Sequence, residues 1–170
     1  PICSYGVVKV AIENYLQMFH QLHGLEYVVL RASNPYGERQ GHAGVQGVIG
    51  TFVGKMLAGE PIEIWGDGSV VRDFIYVGDL AELCVLAGQL DVPGTYNVGS
   101  GVGYSINEVV KVLAEVTGQT IEPIYRAGRG YDVPSVVLDI ARANNTFGWM
   151  PQVGLPEGVA RSWRWVNKFE

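Results

Sequence analysis

The stretch Glu26-Tyr27-Val28-Val29-Leu30-Arg31 decides the fold of this 170-residue chain. It is short, mostly apolar and rich in β-branched residues, and so predicts a buried strand of the kind found in parallel sheets. The turn signal Asn34-Pro35-Tyr36-Gly37 follows it. Ligands of α/β proteins collect at the carboxyl ends of strands, which makes Asn34 a candidate binding residue. An asparagine selected only for the turn before proline explains the same residue equally well.

A helix is predicted before this strand, because apolar residues recur from Val7 to Phe19 at close to helical spacing. Tyr5 and Lys9 are four residues apart and therefore share a face of that helix. A nearby positive charge favours the phenolate form of a tyrosine, which can then act as a base. Such pairs are common on helices, so the spacing alone favours an aromatic residue and a solvated lysine without chemistry.

The next segments predict a second helix and a hairpin. Residues Val48 to Leu57 have helical periodicity and are closed by Gly59 and Pro61. Apolar and polar residues alternate from Ile62 to Trp65, and a turn is predicted at residues 66–68. Residues 70–77 are predicted as the returning strand of the hairpin. Trp65 offers a flat face on which a base can stack, although tryptophan is also a common core residue.

Arg72 is predicted on a strand among apolar residues, where an unpaired charge is costly. Asp73 is a possible partner, but adjacent side chains of a strand point to opposite faces. A guanidinium group can hold phosphate oxygens with two parallel hydrogen bonds. Arg72 is therefore a candidate anion-binding residue.

Other signals concern folding. Asp79 and Asp139 are predicted helix N-caps, and Ser105 with Glu108 forms a capping box before a helix that ends at Gly118. Further predicted elements are strands at residues 96–99 and 121–125, a short helix closed at residues 147–149, and a final amphipathic helix over residues 155–166.

Composition limits the possible functions. The net charge is −5 and no basic run is present, which argues against general nucleic-acid binding. Cys3 and Cys84 have no metal-like spacing, so no metal is expected, and so few cysteines suit a reducing cytoplasm. No signal-peptide pattern or membrane-spanning apolar run is visible.

Several motifs together resemble the extended short-chain dehydrogenase/reductases of the NAD-dependent epimerase/dehydratase family, in particular members of the UDP-glucose 4-epimerase type. The motifs occur in family order and spacing over almost the whole chain. They are Tyr5-Gly6-Val7-Val8-Lys9, Arg31-Ala32-Ser33-Asn34-Pro35-Tyr36-Gly37, Gly66-Asp67-Gly68, the stretch from Arg72 to Asp79, Tyr96-Asn97-Val98-Gly99-Ser100-Gly101, Leu138-Asp139-Ile140 and Phe147-Gly148-Trp149.

The resemblance implies an α/β fold corresponding to the C-terminal half of such an enzyme. Residues 1–46 would be a remnant of the Rossmann-like domain with the Tyr-Lys helix, and residues 47–170 would be mainly the small substrate-binding domain. No glycine-rich turn of the Gly-x-Gly-x-x-Gly or Gly-x-x-Gly-x-x-Gly type directly follows a predicted strand. We therefore expect a fragment without the cofactor half, inactive and without bound NAD by itself.

The resemblance also implies roles for particular residues. Tyr5 and Lys9 would be the catalytic pair and would contact NAD in the intact enzyme, which oxidises, rotates and re-reduces the sugar at its fourth carbon. The UDP-sugar, or another nucleotide sugar, would be held by Asn34, Val48, Trp65, Arg72, Arg129 and Asp132.

The resemblance leaves alternatives open. Nucleotide-sugar dehydratases, decarboxylases and reductases of the same superfamily share these residues, and a non-catalytic sugar-nucleotide-binding module fits a chain without a cofactor half. Relatives dimerise through the Tyr-Lys helix and the helix before it, which implies a homodimer for the intact enzyme and an exposed apolar face here.

Overall fold

The structure is a computed structural model that describes residues 4–40, 47–128 and 133–168. Helices and strands alternate along most of these residues, as in an α/β protein. The helices are α1 (Ser4–His23), α2 (Val48–Leu57), α3 (Val77–Gln89), α4 (Ile106–Thr117), α5 (Ala141–Phe147) and α6 (Leu155–Val166). The strands are β1 (Val28–Ala32), β2 (Asn34–Tyr36), β3 (Glu63–Trp65), β4 (Val71–Tyr76), β5 (Gly94–Val98), β6 (Gly103–Ser105), β7 (Ile124–Arg126) and β8 (Ser135–Val136).

Strand β4 joins most of the remaining strands. It pairs in parallel with β2 and β8 and antiparallel with β6. Two further parallel pairs are β1 with β5 and β3 with β7. The predicted division of the chain at residues 46 and 47 stays a prediction, and strands from both sides of it pair with one another.

Two apolar cores lie on opposite sides of β4. Phe74 belongs to the core beneath α2, α4 and α6, whereas Ile75 belongs to the core that includes α3 and α5. Successive residues of a strand point to opposite faces, so one strand can serve both cores. The most deeply buried apolar side chains are Ile49, Ile64, Ile75, Leu83, Val98, Val109, Leu113 and Val159.

The predicted hairpin is wrong. The chain does turn at Gly66 and Gly68, both with positive φ angles, and the Asp67 carboxylate accepts a hydrogen bond from the Ser69 amide. However, β3 pairs with β7, and the Gly66 amide continues that pairing by donating to the Arg126 carbonyl at 2.9 Å. The turn therefore leads from one sheet to another instead of closing a two-stranded ribbon.

The prediction that Asp79 is an N-cap is also wrong. Helix α3 begins at Val77, and Asp79 lies buried in its first turn. Its carboxylate accepts hydrogen bonds from the backbone amides of Gln152 and Val153 at 3.1 and 3.0 Å. The preference for a structural role over a catalytic one agrees with these contacts.

Other local predictions are confirmed or nearly so. The bounds of α2 are confirmed, as are the Ser105–Glu108 capping box and the stop of α4 at Gly118, which has a left-handed conformation. Asp139 precedes the N-cap of α5 by one residue, but its carboxylate does accept the Ala141 amide at 2.9 Å.

Candidate functional site

A cleft of about 400 Å³ brings together four residues that the sequence predicts as substrate contacts. They are Asn34, Val48, Trp65 and Arg72. These residues come from the start of β2, the start of α2, the end of β3 and the second position of β4. The rest of the lining consists of Gly47, Thr51, Phe52, Glu63, Ile64, Val70, Phe74 and Ile106.

Arg72 is held in the cleft by backbone carbonyl groups. Its Nη1 atom donates to the carbonyl oxygen of Val133 at 2.7 Å and to that of Val71 at 2.8 Å. Among the residues described, no carboxylate lies within ion-pair distance of Arg72, and Asp73 points elsewhere. A guanidinium group that is oriented by neutral carbonyls keeps its charge available for an anion.

Asn34 is oriented by the backbone of the neighbouring strand. Its Nδ2 atom donates to the carbonyl oxygen of Asp73 at 2.7 Å, across the parallel pairing of β2 with β4. This bond directs one end of the amide to the protein. The amide oxygen is then the end that can accept a hydrogen bond from a ligand.

Trp65 forms the rim of the cleft and is 50% exposed, which suits stacking with a planar ligand better than a core position. Glu63 lies two residues earlier on β3 and therefore on the same face. Its carboxylate accepts a hydrogen bond from Arg126 at 2.9 Å and pairs with Lys55 at 3.5 Å. The Arg126 hydrogen bond lowers the pKa of Glu63, which keeps this carboxylate charged.

Sequence analysis did not identify Glu63 as a cleft residue. The available signal was its two-residue spacing from Trp65, which places both side chains on one face of a strand.

The Tyr5 and Lys9 side chains do meet on α1. The Lys9 Nζ atom lies 5.2 Å from the centre of the Tyr5 ring, as their four-residue spacing predicts. Tyr5 is 71% exposed, and neither residue lines the cleft that contains Arg72. Helix α1 is tied to β1 by an ion pair in which the Arg31 Nε atom donates to Glu13 at 2.8 Å. That hydrogen bond lowers the pKa of Glu13.

Arg129 and Asp132 lie outside the described residues. The neighbouring residues approach the cleft, because the Val133 carbonyl accepts from Arg72 and β8 pairs with β4. The roles of Arg129 and Asp132 stay predictions.

Tyr5 and Lys9 carry polar groups of the kind that can bind one end of NAD. A phenol and an ammonium group on one exposed helix face can hydrogen-bond to the hydroxyl groups of a ribose. The pair thus suits the nicotinamide ribose that the resemblance assigns to it.

The fold and the cleft define the class of the protein. The α/β fold, the Tyr-x-x-x-Lys pair on α1 and the cleft lined by Asn34, Trp65 and Arg72 together agree with a short-chain dehydrogenase/reductase of the extended type. The chain belongs to the NAD dependent epimerase/dehydratase family, whose family model matches residues 1–99 of the 170. This match confirms the resemblance drawn from the motifs.

Individual relatives agree with this assignment. The UDP-glucose 4-epimerase of Mycolicibacterium smegmatis is 38% identical over 163 residues, which are 95% of this chain and 52% of the relative. A structure of the Thermotoga maritima UDP-glucose 4-epimerase with UDP-glucose is 40% identical, with a TM-score of 0.95 over 99% of this chain and 55% of that one. A Methanobrevibacter ruminantium UDP-N-acetylglucosamine 4-epimerase in complex with UDP-N-acetylmuramic acid is 31% identical, with a TM-score of 0.94 over 100% of this chain and 55% of that one.

The chain therefore spans about half the length of the relatives it matches. None of the helices in the described ranges combines the length and apolar character that crossing a membrane requires.

Proposed function

We propose that this chain provides the sugar-nucleotide site and the Tyr-Lys pair of an NAD-dependent nucleotide-sugar 4-epimerase. The observation that carries the proposal is the convergence of Asn34, Val48, Trp65 and Arg72 on one cleft. A flat indole suits a base, and an amide suits a hydroxyl or phosphate oxygen. A guanidinium that has no ion pair with the described residues suits a diphosphate. UDP-bound relatives with the same fold support this choice of ligand.

Each residue has a defined part in the proposed reaction. Tyr5 accepts the proton of the sugar 4-hydroxyl, and the Lys9 ammonium lies beside the phenol and binds the nicotinamide ribose. Arg72 and Asn34 hold the diphosphate while Trp65 holds the base, so the sugar itself is free to present either face. NAD, when bound, supplies the electron acceptor for oxidation at the fourth carbon.

Binding of the nucleotide sugar in the cleft does not by itself bring the sugar to Tyr5. Tyr5 is largely exposed and does not line the cleft, so the residues that the structure describes do not by themselves enclose the phenol beside a bound sugar. We expect the 170-residue chain to bind UDP and UDP-glucose in calorimetry. We expect no conversion of UDP-glucose to UDP-galactose and no tight NAD binding in the same preparation.

Arg72→Met tests the binding site directly. Loss of a charge-assisted contact to phosphate costs about 1.5–3 kcal/mol, so the affinity for UDP should fall roughly 10- to 100-fold. Arg142→Met is the matched control, because this guanidinium stacks on Tyr96 at 4.7 Å and does not line the cleft. Equal affinities for UDP in the two variants would contradict the proposed site.

The other outcomes distinguish the alternatives. The chain can be combined with the cofactor half of a relative and assayed for epimerase activity. If the chain binds UDP but shows no activity in this assay, the result would favour a non-catalytic binding module. Conversion of the nucleotide sugar to a dehydrated, decarboxylated or reduced product in that assay would favour the other enzymes of the superfamily.

We also propose that the intact enzyme forms a homodimer through α1. No residue of this helix is buried, and its exposed apolar side chains include Val8, Ile12, Tyr15 and Phe19. Such a face is typical of a helix that packs against another protein surface. Light scattering of the 170-residue chain should show self-association, and a clean monomer would contradict the role of α1. The cytoplasmic location stays a prediction.

A further inference from the structure

Asp73 is a fully buried carboxylate directly behind the cleft. Its neighbours in β4, Arg72 and Phe74, line the cleft, and the alternation of the strand directs the Asp73 side chain away from it. A buried carboxylate is costly unless it is well supplied with hydrogen bonds. Its surroundings therefore indicate what the residue organises.

Backbone and side-chain groups from three segments of the chain converge on this carboxylate. Oδ1 accepts from the backbone amide of Ser100 at 2.7 Å, from its hydroxyl at 2.8 Å and from the Ser33 hydroxyl at 3.3 Å. Oδ2 accepts from the amides of Gly101 and Leu138, both at 3.2 Å. The donors follow β1, β5 and β8, so one side chain holds the ends of three strands together.

The same residue is connected to two polar side chains of the cleft, Asn34 and Arg72. Its backbone carbonyl oxygen accepts a hydrogen bond from the Asn34 amide at 2.7 Å. The segment that Asp73 holds at Leu138 continues back to Val133, whose carbonyl accepts from Arg72. Asp73 thus contacts one cleft residue directly and orients the other through the segment that contains β8.

Gly99 shows how closely the loop after β5 is fitted to the carboxylate. A Cβ atom at this position would collide with Asp73 Oδ2. Only glycine lets the backbone of residues 99–101 approach closely enough to donate its amides.

We propose that Asp73 is a positioning residue for sugar-nucleotide binding: its carboxylate orients Arg72 through the segment that contains β8, and its backbone carbonyl orients Asn34, without either group contacting the ligand. The inference rests on the proposed function, because it concerns the affinity of the same cleft. It predicts that the buried carboxylate affects ligand affinity as well as stability.

Asp79 provides a matched control. It is also a buried aspartate whose carboxylate accepts hydrogen bonds from backbone amides, two of them against three for Asp73, but it does not line or adjoin the cleft. Asp73→Asn and Asp79→Asn each replace one accepting oxygen by a donor, so both should lower the melting temperature. In calorimetry with UDP, Asp73→Asn should reduce the affinity about tenfold or more, whereas Asp79→Asn should leave it unchanged within about twofold.

A double variant tests whether Asp73 acts through Arg72. If it does, Arg72→Met should reduce UDP affinity less in the Asp73→Asn background than in the wild-type chain. Fully additive effects, or equal UDP affinities for Asp73→Asn and Asp79→Asn, would overturn the inference. Failure of the wild-type chain to bind UDP would instead overturn the proposed function.

Ser100→Ala keeps the test decisive if Asp73→Asn does not fold. This variant removes one hydroxyl donor to Asp73 and leaves the Ser100 backbone donor in place, and Ser100 does not line the cleft. We expect a reduction in UDP affinity of roughly threefold, because one hydrogen bond of several is lost. An unchanged affinity in a folded Ser100→Ala variant would count against the positioning role.

Discussion

Helix α1 and helix α4 differ in the way the structure uses their apolar residues. Helix α4 buries Val109, Val110 and Leu113 in the core beneath the cleft, whereas α1 buries none of its residues. The difference teaches that the cleft lined by Arg72 is built by contacts within the described residues. The Tyr5–Lys9 pair, in contrast, lies on a helix whose apolar face has no partner among them. Binding and catalysis should therefore respond differently to substitution.

The largest expected difference concerns apolar side chains of the two helices. Leu113→Ala should reduce the free energy of unfolding by about 2–5 kcal/mol, because it leaves a cavity in a fully buried core. Ile12→Ala in α1 should change it by no more than about 0.5 kcal/mol, because the side chain is already exposed. Urea denaturation of both variants measures the contrast. Comparable losses would mean that α1 contributes to the core as α4 does.

The cleft itself should respond to the loss of the indole ring. Trp65→Ala should weaken UDP binding by about 1–3 kcal/mol, because a base stacked on an aromatic face loses that contact. Trp65→Phe should retain most of the affinity. Calorimetry with UDP measures both, and equal affinities of the alanine variant and the wild-type chain would exclude stacking on Trp65.

The N-terminus of α4 should depend on its cap and on pH. Ser105→Ala removes a capping residue and should cost about 1 kcal/mol of unfolding free energy at neutral pH. The Ser105 hydroxyl lowers the pKa of Glu108 from 4.5 in the folded state. The stabilisation is therefore fully present above about pH 4.5 and is lost as the pH falls through the lowered pKa.

The capping prediction can be checked by unfolding both proteins across this range. The difference between wild type and Ser105→Ala should shrink below pH 4.5. A difference that grows with acidification would contradict the assigned sign.

Removal of the Tyr36 hydroxyl should not lower the free energy of unfolding, in contrast to removal of the Ser105 cap. Its hydroxyl is buried and, among the described residues, has no hydrogen-bond partner, and burial raises its pKa. Tyr36→Phe should leave stability unchanged or increase it by about 1 kcal/mol, because no hydrogen bond is lost. Tyr96→Phe is the control and should lose about 1 kcal/mol, because the Tyr96 hydroxyl donates to Val92 at 3.1 Å. Equal thermal destabilisation of the two variants would mean that Tyr36 does have a partner.

The smallest expected effect concerns the attachment of α1. Glu13→Gln removes the ion pair with Arg31, and exposed pairs of this kind contribute less than about 1 kcal/mol. The effect on thermal stability should disappear in high salt, and UDP affinity should not change. A loss of UDP affinity would show that α1 and the cleft are coupled.

Local features could be predicted because neighbouring residues encode them. The bounds of α2, the capping box of α4 and the glycine stop after it follow from periodicity and from side chains that bond to adjacent backbone groups. The motifs also indicated which family the chain belongs to, and with it six candidate substrate contacts, of which the structure gathers Asn34, Val48, Trp65 and Arg72 at the cleft.

Sequence analysis failed where the partner lies far along the chain. The stretch around Gly66 has every local sign of a hairpin, yet β3 pairs with residues 124–126, about 60 positions away. Asp79 has the composition of an N-cap, but its carboxylate binds amides more than 70 positions later. No local pattern distinguishes these outcomes.

The sequence by itself determined the family, the bounds of α2, the cap and stop of α4 and the candidate residues of the site, because those signals lie within a few residues of one another. Only the tertiary structure decided which strands pair, that Glu63 lies at the rim, and that Asp73 is buried where three strand ends meet. The physical reason is that a buried carboxylate or strand edge takes its hydrogen bonds from whichever groups the fold brings to it.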